Sequence, residues 1–163
     1  MLTQNLTLSG SLAWLDSHYE EFPNGACTME QGIAAGGSAN CAGQDLSGKD
    51  RAYAPGWSGN IGARYTLPVG SYYVTFEPLV YFTDDMFLSA EADPWLVQDA
   101  YAKVDLRIGL TPASKKWEVA LIGKNLTDET TTNYGVSVTG SDGSARYLVD
   151  RPVSVALQLN WHF

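Results

Sequence analysis

Six stretches of this chain alternate apolar and polar residues with a period of two, the spacing at which successive side chains leave opposite faces of a β-strand. The last is the most regular. Val153, Val155, Leu157, Leu159, Trp161 and Phe163 share one face, and Ser154, Ala156, Gln158, Asn160 and His162 the other. The same pattern predicts strands over Asn5–Leu15, Trp57–Leu67, Tyr72–Thr83, Tyr101–Leu110 and Trp117–Lys124. In the fourth, Ala102, Val104, Leu106, Ile108 and Leu110 oppose Lys103, Asp105 and Arg107. Pro78 removes a ladder donor from the third strand, so a bulge or break is expected there. Gly123 and Asn125 carry the outward register of the fifth on weakly.

What lies between the strands is uneven. Asp16–Pro55 is a connection of about forty residues, and Asp84–Gln98 and Leu126–Asp150 are also long, where compact domains favour connections of roughly 4 to 6. Pro68–Ser71 and Thr111–Lys116 are short. Long and short connections therefore alternate, as in outer-membrane barrels with extracellular loops and periplasmic turns. Aromatic residues gather at both ends of the apolar faces, with Trp14, Trp57 and Phe82 at one and Tyr65, Tyr72, Trp117, Trp161 and Phe163 at the other. Rings so placed match the two interfaces of a bilayer. The expected fold is all-β: an antiparallel transmembrane β-barrel segment of about six up-and-down strands. Alternation alone also fits a half-buried soluble sheet, and the loop asymmetry, the girdles and the terminal Phe163 decide between them.

Composition bounds the function. A net charge of -8 and a pI near 4.5 argue against nucleic-acid binding. No run reaches the roughly 18 apolar residues of a membrane-spanning helix. Residues 1–7 lack the basic and apolar regions of an export signal, so an exported protein would carry that signal on residues outside this chain.

The ending resembles the carboxy-terminal targeting strand of bacterial outer-membrane proteins, which the barrel-assembly machinery recognises. The wider chain resembles the carboxy-terminal portion of a TonB-dependent receptor. The residues concerned are Trp117–Glu129, within which the run Lys124-Asn125-Leu126-Thr127-Asp128 is fairly specific, with Asp99–Leu110, Ala54–Asn60 and Arg151–Phe163. The resemblance implies that residues 1–163 are part of a barrel of about 22 strands, with plug domain and signal peptide absent from this stretch. Six strands alone would leave two unpaired edges in lipid. It further implies an outer-membrane location and TonB-energised uptake of a scarce ligand such as an iron-siderophore. The implied partners are outer-membrane lipid, the remaining strands and plug, the TonB complex and the assembly machinery. Val155, Leu157, Leu159, Trp161 and Phe163 are the expected assembly signal.

Other candidate sites are few. Cys27 and Cys41 lie in the first long connection without zinc-ligand spacing, and two cysteines in an exported loop are expected to pair. Glu20, Glu21, Asp84, Asp85, Glu91 and Asp93 lack a calcium-loop pattern, which leaves solvated loop charge or steering of a cationic ligand. Lys103, Asp105 and Arg107 should face the lumen, either compensating one another or touching a plug or ligand. His18 and His162 have no nucleophile arrangement, and Gly32–Gly37 lacks a phosphate-loop lysine, so neither catalysis, metal nor cofactor is expected. Two other classes remain: a soluble sandwich or small barrel binding carbohydrate or an apolar ligand through aromatics such as Trp95, and a passive porin-like or adhesion barrel.

Overall fold

The computed structural model describes residues 5–163; the stretch examined for an export signal falls largely outside them. Six long strands form one antiparallel sheet: β1 (Leu6–Trp14), β2 (Trp57–Val69), β3 (Tyr72–Thr83), β6 (Tyr101–Pro112), β7 (Trp117–Lys124) and β10 (Ser154–Trp161). Each neighbours the next in chain order, so the topology is up-and-down. The sheet is open, with β1 and β10 at its edges.

Register follows the sequence parity. Leu6, Tyr65, Phe76, Ile108, Leu121 and Leu157 stand in one row across all six strands. The next row is Leu8, Ala63, Pro78, Leu106, Gly123 and Val155. Every row on this face is apolar, and its side chains are solvent-accessible: Leu12 is 65% exposed, Ile61 63% and Leu157 75%. The opposite face carries Arg64, Glu77, Arg107 and their neighbours in the alternate rows. Aromatic pairs close both ends of the apolar face, with Trp14 opposite Trp57 at 6.3 Å between ring centroids and Tyr72 beside Trp117 at 6.2 Å.

Apart from Ala120, which is 1% exposed on the polar face of β7, the buried apolar core is elsewhere. Leu46, Leu88 and Leu96 are 1–3% exposed, and all three belong to the long connections. These connections are folded rather than irregular. The first holds α1 (Met29–Ala34), started by a capping box in which the Thr28 hydroxyl accepts from the Gln31 amide and the Gln31 side chain accepts from the Thr28 amide. The second and third, expected as loops, contain the hairpins β4 (Met86–Phe87) with β5 (Val97–Gln98) and β8 (Thr132–Ser137) with β9 (Ala145–Val149).

Three local expectations are corrected. Pro78 makes no bulge, and pairing with β6 continues through Pro78↔Leu106, so the expected break is confined to the β2–β3 ladder, whose register is the same on both sides of it. The missing donor falls on the β2 side, where the ladder is interrupted between Gly62↔Leu79 and Tyr65↔Phe76. The first short turn is tighter than its sequence implied, because Pro68 and Val69 remain in β2 and Gly70, at φ 59°, makes the reversal. β7 ends at Lys124, as the alternation placed it, and the weak outward register does not continue to Asn125, which is 5% exposed with φ 50°, a left-handed conformation that Asn tolerates. Phe163 lies past the end of β10 with its side chain fully exposed.

Candidate functional site

On the polar face, charge pairs run across four strands. Arg64 Nη2 is 3.1 Å from Glu77 Oε1, which also meets Arg107 Nη1 at 3.2 Å. Arg107 Nη2 reaches Glu118 Oε1 at 2.7 Å, and Asn160 donates to Glu118 Oε2 at 3.0 Å. The ladder thus passes from β2 through β3 and β6 to β7, with β10 tied on by Asn160. It borders an open groove of about 450 Å3 whose lining includes Ser9, Arg64, Glu77, Arg107, Lys124 and Gln158.

Lys103, Asp105 and Arg107 share this face but form no direct ion pair with one another. Residues two apart on a strand are separated by roughly 6.5 Å, beyond ion-pair reach, whereas cross-strand neighbours are closer. Each therefore pairs across a strand or to a loop. Lys103 Nζ donates to Thr131 Oγ1 at 2.5 Å and Asp150 Oδ2 at 3.1 Å. Asp105 accepts from Lys124 Nζ at 2.7 Å and from the Asn125 amide at 2.9 Å.

Asp150 lies outside the long strands, between β9 and β10. Burial pushes its carboxyl up, but hydrogen bonds from Thr131 and Lys103, with the Lys103 charge, outweigh burial and hold it below the usual carboxylate value. This carboxylate fastens the third connection to β6.

The run Lys124–Asp128 has a structural meaning at each position. Lys124 pairs with Asp105, and the Asn125 side chain accepts from the Glu129 amide at 3.0 Å and donates to the Glu129 carbonyl at 2.9 Å. Leu126 donates its amide to the Val104 carbonyl and lays its side chain where a Cβ on Gly123 would sit. Thr127 donates to the Ala102 carbonyl at 3.3 Å, and Asp128 accepts from the Val153 amide at 3.2 Å. The turn joins β6, β7 and the entry to β10.

The three long connections pack into one cap. Cys27 and Cys41 are disulfide-bonded with Cα atoms 6.5 Å apart. Gln44 of the first connection donates to the Glu91 carbonyl of the second, and the Tyr147 hydroxyl of the third donates to the Trp95 carbonyl. Asp93, 2% exposed, accepts from the Trp95 amide and from the Ser137 hydroxyl, both at 2.9 Å. Asp93 is thus a structural link between the second and third connections. Glu20, Glu21 and Asp85 are exposed, and no cluster of three metal-ligating side chains occurs among the described residues. His18 contacts Asp16 at 2.7 Å on the surface, and the His162 amide donates to the Lys116 carbonyl.

Charge is segregated along the strands. Of 18 acidic residues, all but Glu77, Asp105 and Glu118 lie in the cap connections, where the cations are Lys49, Arg51, Arg146 and Arg151. A field of that sign concentrates cations and repels anions. Sequence reasoning missed Arg64, Glu77, Glu118, Asn160, Thr131 and Asp150, because their roles depend on register between strands far apart in the chain.

No protein-family model matches this chain, and no curated protein matches it. Among solved structures it is similar to the ferric yersiniabactin uptake receptor FyuA from Yersinia pestis, with a TM-score of 0.62 at 16% identity. The match covers 71% of this chain and 18% of that one, so the chain spans under a fifth of the receptor's length. The likeness is one of fold: antiparallel up-and-down strands arranged as in part of that receptor's structure.

Proposed function

We propose that this chain is part of the wall and outer cap of an outer-membrane receptor of the TonB-dependent kind, with its long connections outside the cell and its short turns in the periplasm. One observation carries the proposal. The face that soluble sheets bury is here exposed and apolar in every row, while the buried apolar core, Ala120 on the polar face apart, sits in the connections. A soluble protein rarely exposes a contiguous apolar patch beyond a few hundred Å2, and a lipid-facing wall requires one. The six strands, of 8 to 13 residues, suit the roughly 9 to 11 residues of a tilted crossing.

The receptor of similar fold takes up ferric yersiniabactin, by its name. For this chain the proposed activity is uptake of a scarce ligand through the plugged lumen, of which an iron-siderophore is the leading class. The cap connections capture the ligand, and TonB, acting through parts of the parent receptor, supplies the energy. The acidic cap restricts the ligand further, to one that is neutral or cationic at its surface.

The experiment is reconstitution of the full chain into lipid vesicles beside the missing strands. Protease-protected fragments covering the six strands and heat-modifiable migration are expected. A water-soluble chain that unfolds cooperatively without detergent would support the sandwich instead. Fluorescence quenching by lipid-borne bromine at Trp117 and Trp161, absent at Trp95, would separate membrane face from cap.

A further inference from the structure

We propose that the cap carries a binding site for a neutral saccharide, in the groove where the first and second connections meet beside Trp95. The inference rests on the receptor reading above, in which the cap captures the ligand, and names a chemistry for what it captures. The saccharide is the cargo itself or a glycosyl part of a larger one.

The groove holds about 310 Å3, and Gln31, Gln44, Lys49, Pro94 and Trp95 are among the residues that line it. Small-molecule sites of this size combine apolar rings with a few fixed polar groups. Trp95 is 56% exposed. Trp14, Trp57 and Trp161 are exposed too, but they stand at the ends of the apolar face, where interfacial lipid meets such rings. On the receptor reading the cap lies beyond the bilayer, so the Trp95 ring needs another partner.

The backbone that carries this ring is pinned. The Trp95 amide donates to Asp93 Oδ1 at 2.9 Å, the Trp95 carbonyl accepts from the Tyr147 hydroxyl, and Asp93 and Leu96 on either side are 2% and 3% exposed. An apolar ring held exposed on a fixed backbone meets a ligand without a large cost of ordering. Binding residues on loops are effective when a rigid scaffold positions them in this way.

The polar rim is oriented as well. Gln44 Nε2 donates to the Ala26 carbonyl at 2.6 Å and to the Glu91 carbonyl at 2.8 Å, which leaves its Oε1 to accept from Gln31 Nε2 at 3.1 Å. Gln31 Oε1 in turn accepts from the Thr28 amide at 2.9 Å. A second Gln31 amide hydrogen and a second Gln44 lone pair remain for a ligand. Lys49 adds an ammonium that makes no ion pair among the described residues. Sugar hydroxyls both donate and accept, which suits this mixed rim, while the C–H face of the sugar ring covers the indole. A flat aromatic ligand would cover the indole and leave the rim unpaired.

Charge selects the neutral member of the class. Glu30 and Lys49, of opposite sign, both line the groove, whereas the cap around it is acidic. A cationic ligand would meet Lys49 beside the ring, and an anionic one would be repelled by the field of the cap.

The test uses the full chain refolded in a polyoxyethylene detergent, whose headgroup carries no sugar. Cellotriose, maltotriose and mannotriose are the neutral probes, with the glucosamine and glucuronate counterparts of cellotriose as cationic and anionic ones. Saturation-transfer NMR and tryptophan fluorescence titration should show saturable binding of at least one neutral trisaccharide. Trp95→Ala should weaken it at least about tenfold and Lys49→Gln about threefold, while Tyr134→Ala, in the third connection and outside the groove, leaves it intact. Both substitutions in the groove are at exposed side chains, so either keeps the test valid if the other disturbs folding. Methyl glucoside binding as tightly as the trisaccharide would identify a single glycosyl unit of a larger cargo, and a tighter trisaccharide an oligosaccharide; both outcomes support the site. Absence of neutral-sugar binding, binding that survives Trp95→Ala, or a charged counterpart that binds as tightly overturns the proposal. Heat-modifiable migration reads barrel formation separately: a chain that inserts yet ignores every sugar fails here without disturbing the receptor reading, and one that binds sugar without inserting fails that reading instead.

Discussion

Arg107 and Glu118 meet at 2.7 Å beside the space a Cβ on Gly109 would occupy. They are not directly paired in the ladder: Glu118 lies further toward the short-turn end of β7, and the contact crosses diagonally past Gly109. A Cβ there would stand 3.1 Å from Glu118 Oε1, 3.2 Å from Arg107 Nη1 and 2.6 Å from Thr75 Oγ1. The glycine leaves room for the ion pair.

Gly109→Ala should therefore destabilise the sheet by about 1 to 3 kcal/mol, despite the better strand propensity of alanine. Gly62→Ala is the control, since its Cβ would meet Ser9 Oγ at 3.2 Å and Leu79 Cδ1 at 3.3 Å, both movable side-chain atoms. Urea unfolding in micelles should rank Gly109→Ala well below Gly62→Ala. Equal midpoints would mean that the Arg107–Glu118 pair relocates without cost.

The strands were legible because their apolar face is continuous. Leu106, Ile108 and Leu121 fall in unbroken rows, and parity alone places them. The charged face was legible only in part, since Arg107 was visible but Glu77 and Glu118 acquire their roles from register across β3, β6 and β7. The β8–β9 hairpin had a signal, Tyr134, Val136 and Tyr147, Val149 flanking the turn residues Gly140, Ser141, Asp142 and Gly143. Gly135 and the polar residues around it weakened the alternation. A Cβ on Gly135 would press on Leu96 and Tyr147, so close packing within the cap explains that break in the pattern.

Leu106 lies in a row between Pro78 and Gly123, near the middle of the apolar face. Leu106→Arg should cost about 2 to 4 kcal/mol in a bilayer. Asp105→Asn keeps an acceptor for the Asn125 amide and loses only charge toward Lys124, so about 1 kcal/mol is expected. Folding titrations of both variants in lipid vesicles decide the facing, and equal penalties would contradict it.

Removing the Cys27–Cys41 crosslink by Cys27→Ser, Cys41→Ser should loosen the cap by about 3 kcal/mol on the chain-entropy model for a loop of this length. The sheet shares no residue with that loop. Hydrogen exchange should accelerate around α1 while β6 and β7 keep their protection. Faster exchange throughout the sheet would show that cap and wall unfold as one unit.

Acid should release the third connection. Because the folded Asp150 carboxyl is held below its ordinary value of 3.8, its contribution is fully present above that value and is lost as pH falls through the lower, folded one. Exchange at β8 and β9 should rise over that acid range, and Asp150→Asn should remove the pH dependence. A transition centred near pH 6 would point to another group.

Phe163 follows the last strand and packs on nothing, with its side chain fully exposed. Even complete burial of such a ring against lipid is worth only about 1.5 to 3 kcal/mol, which a large barrel can lose and remain folded. Trp161, Leu159, Leu157 and Val155 sit within β10 and keep its apolar row intact when Phe163 is removed. On the proposed function, recognition of this strand by an assembly machinery would not be so tolerant, because a ring that is read rather than packed is either present or absent. On the same proposal, deleting Phe163 from the full-length protein should therefore lower the amount reaching the outer membrane while leaving the urea midpoint of refolded protein nearly unchanged. The two measurements must be made on the same variant, since a fall in both would assign the residue to packing. Normal membrane yield after deletion would leave Phe163 as an interfacial ring beside Trp161, with no part in targeting.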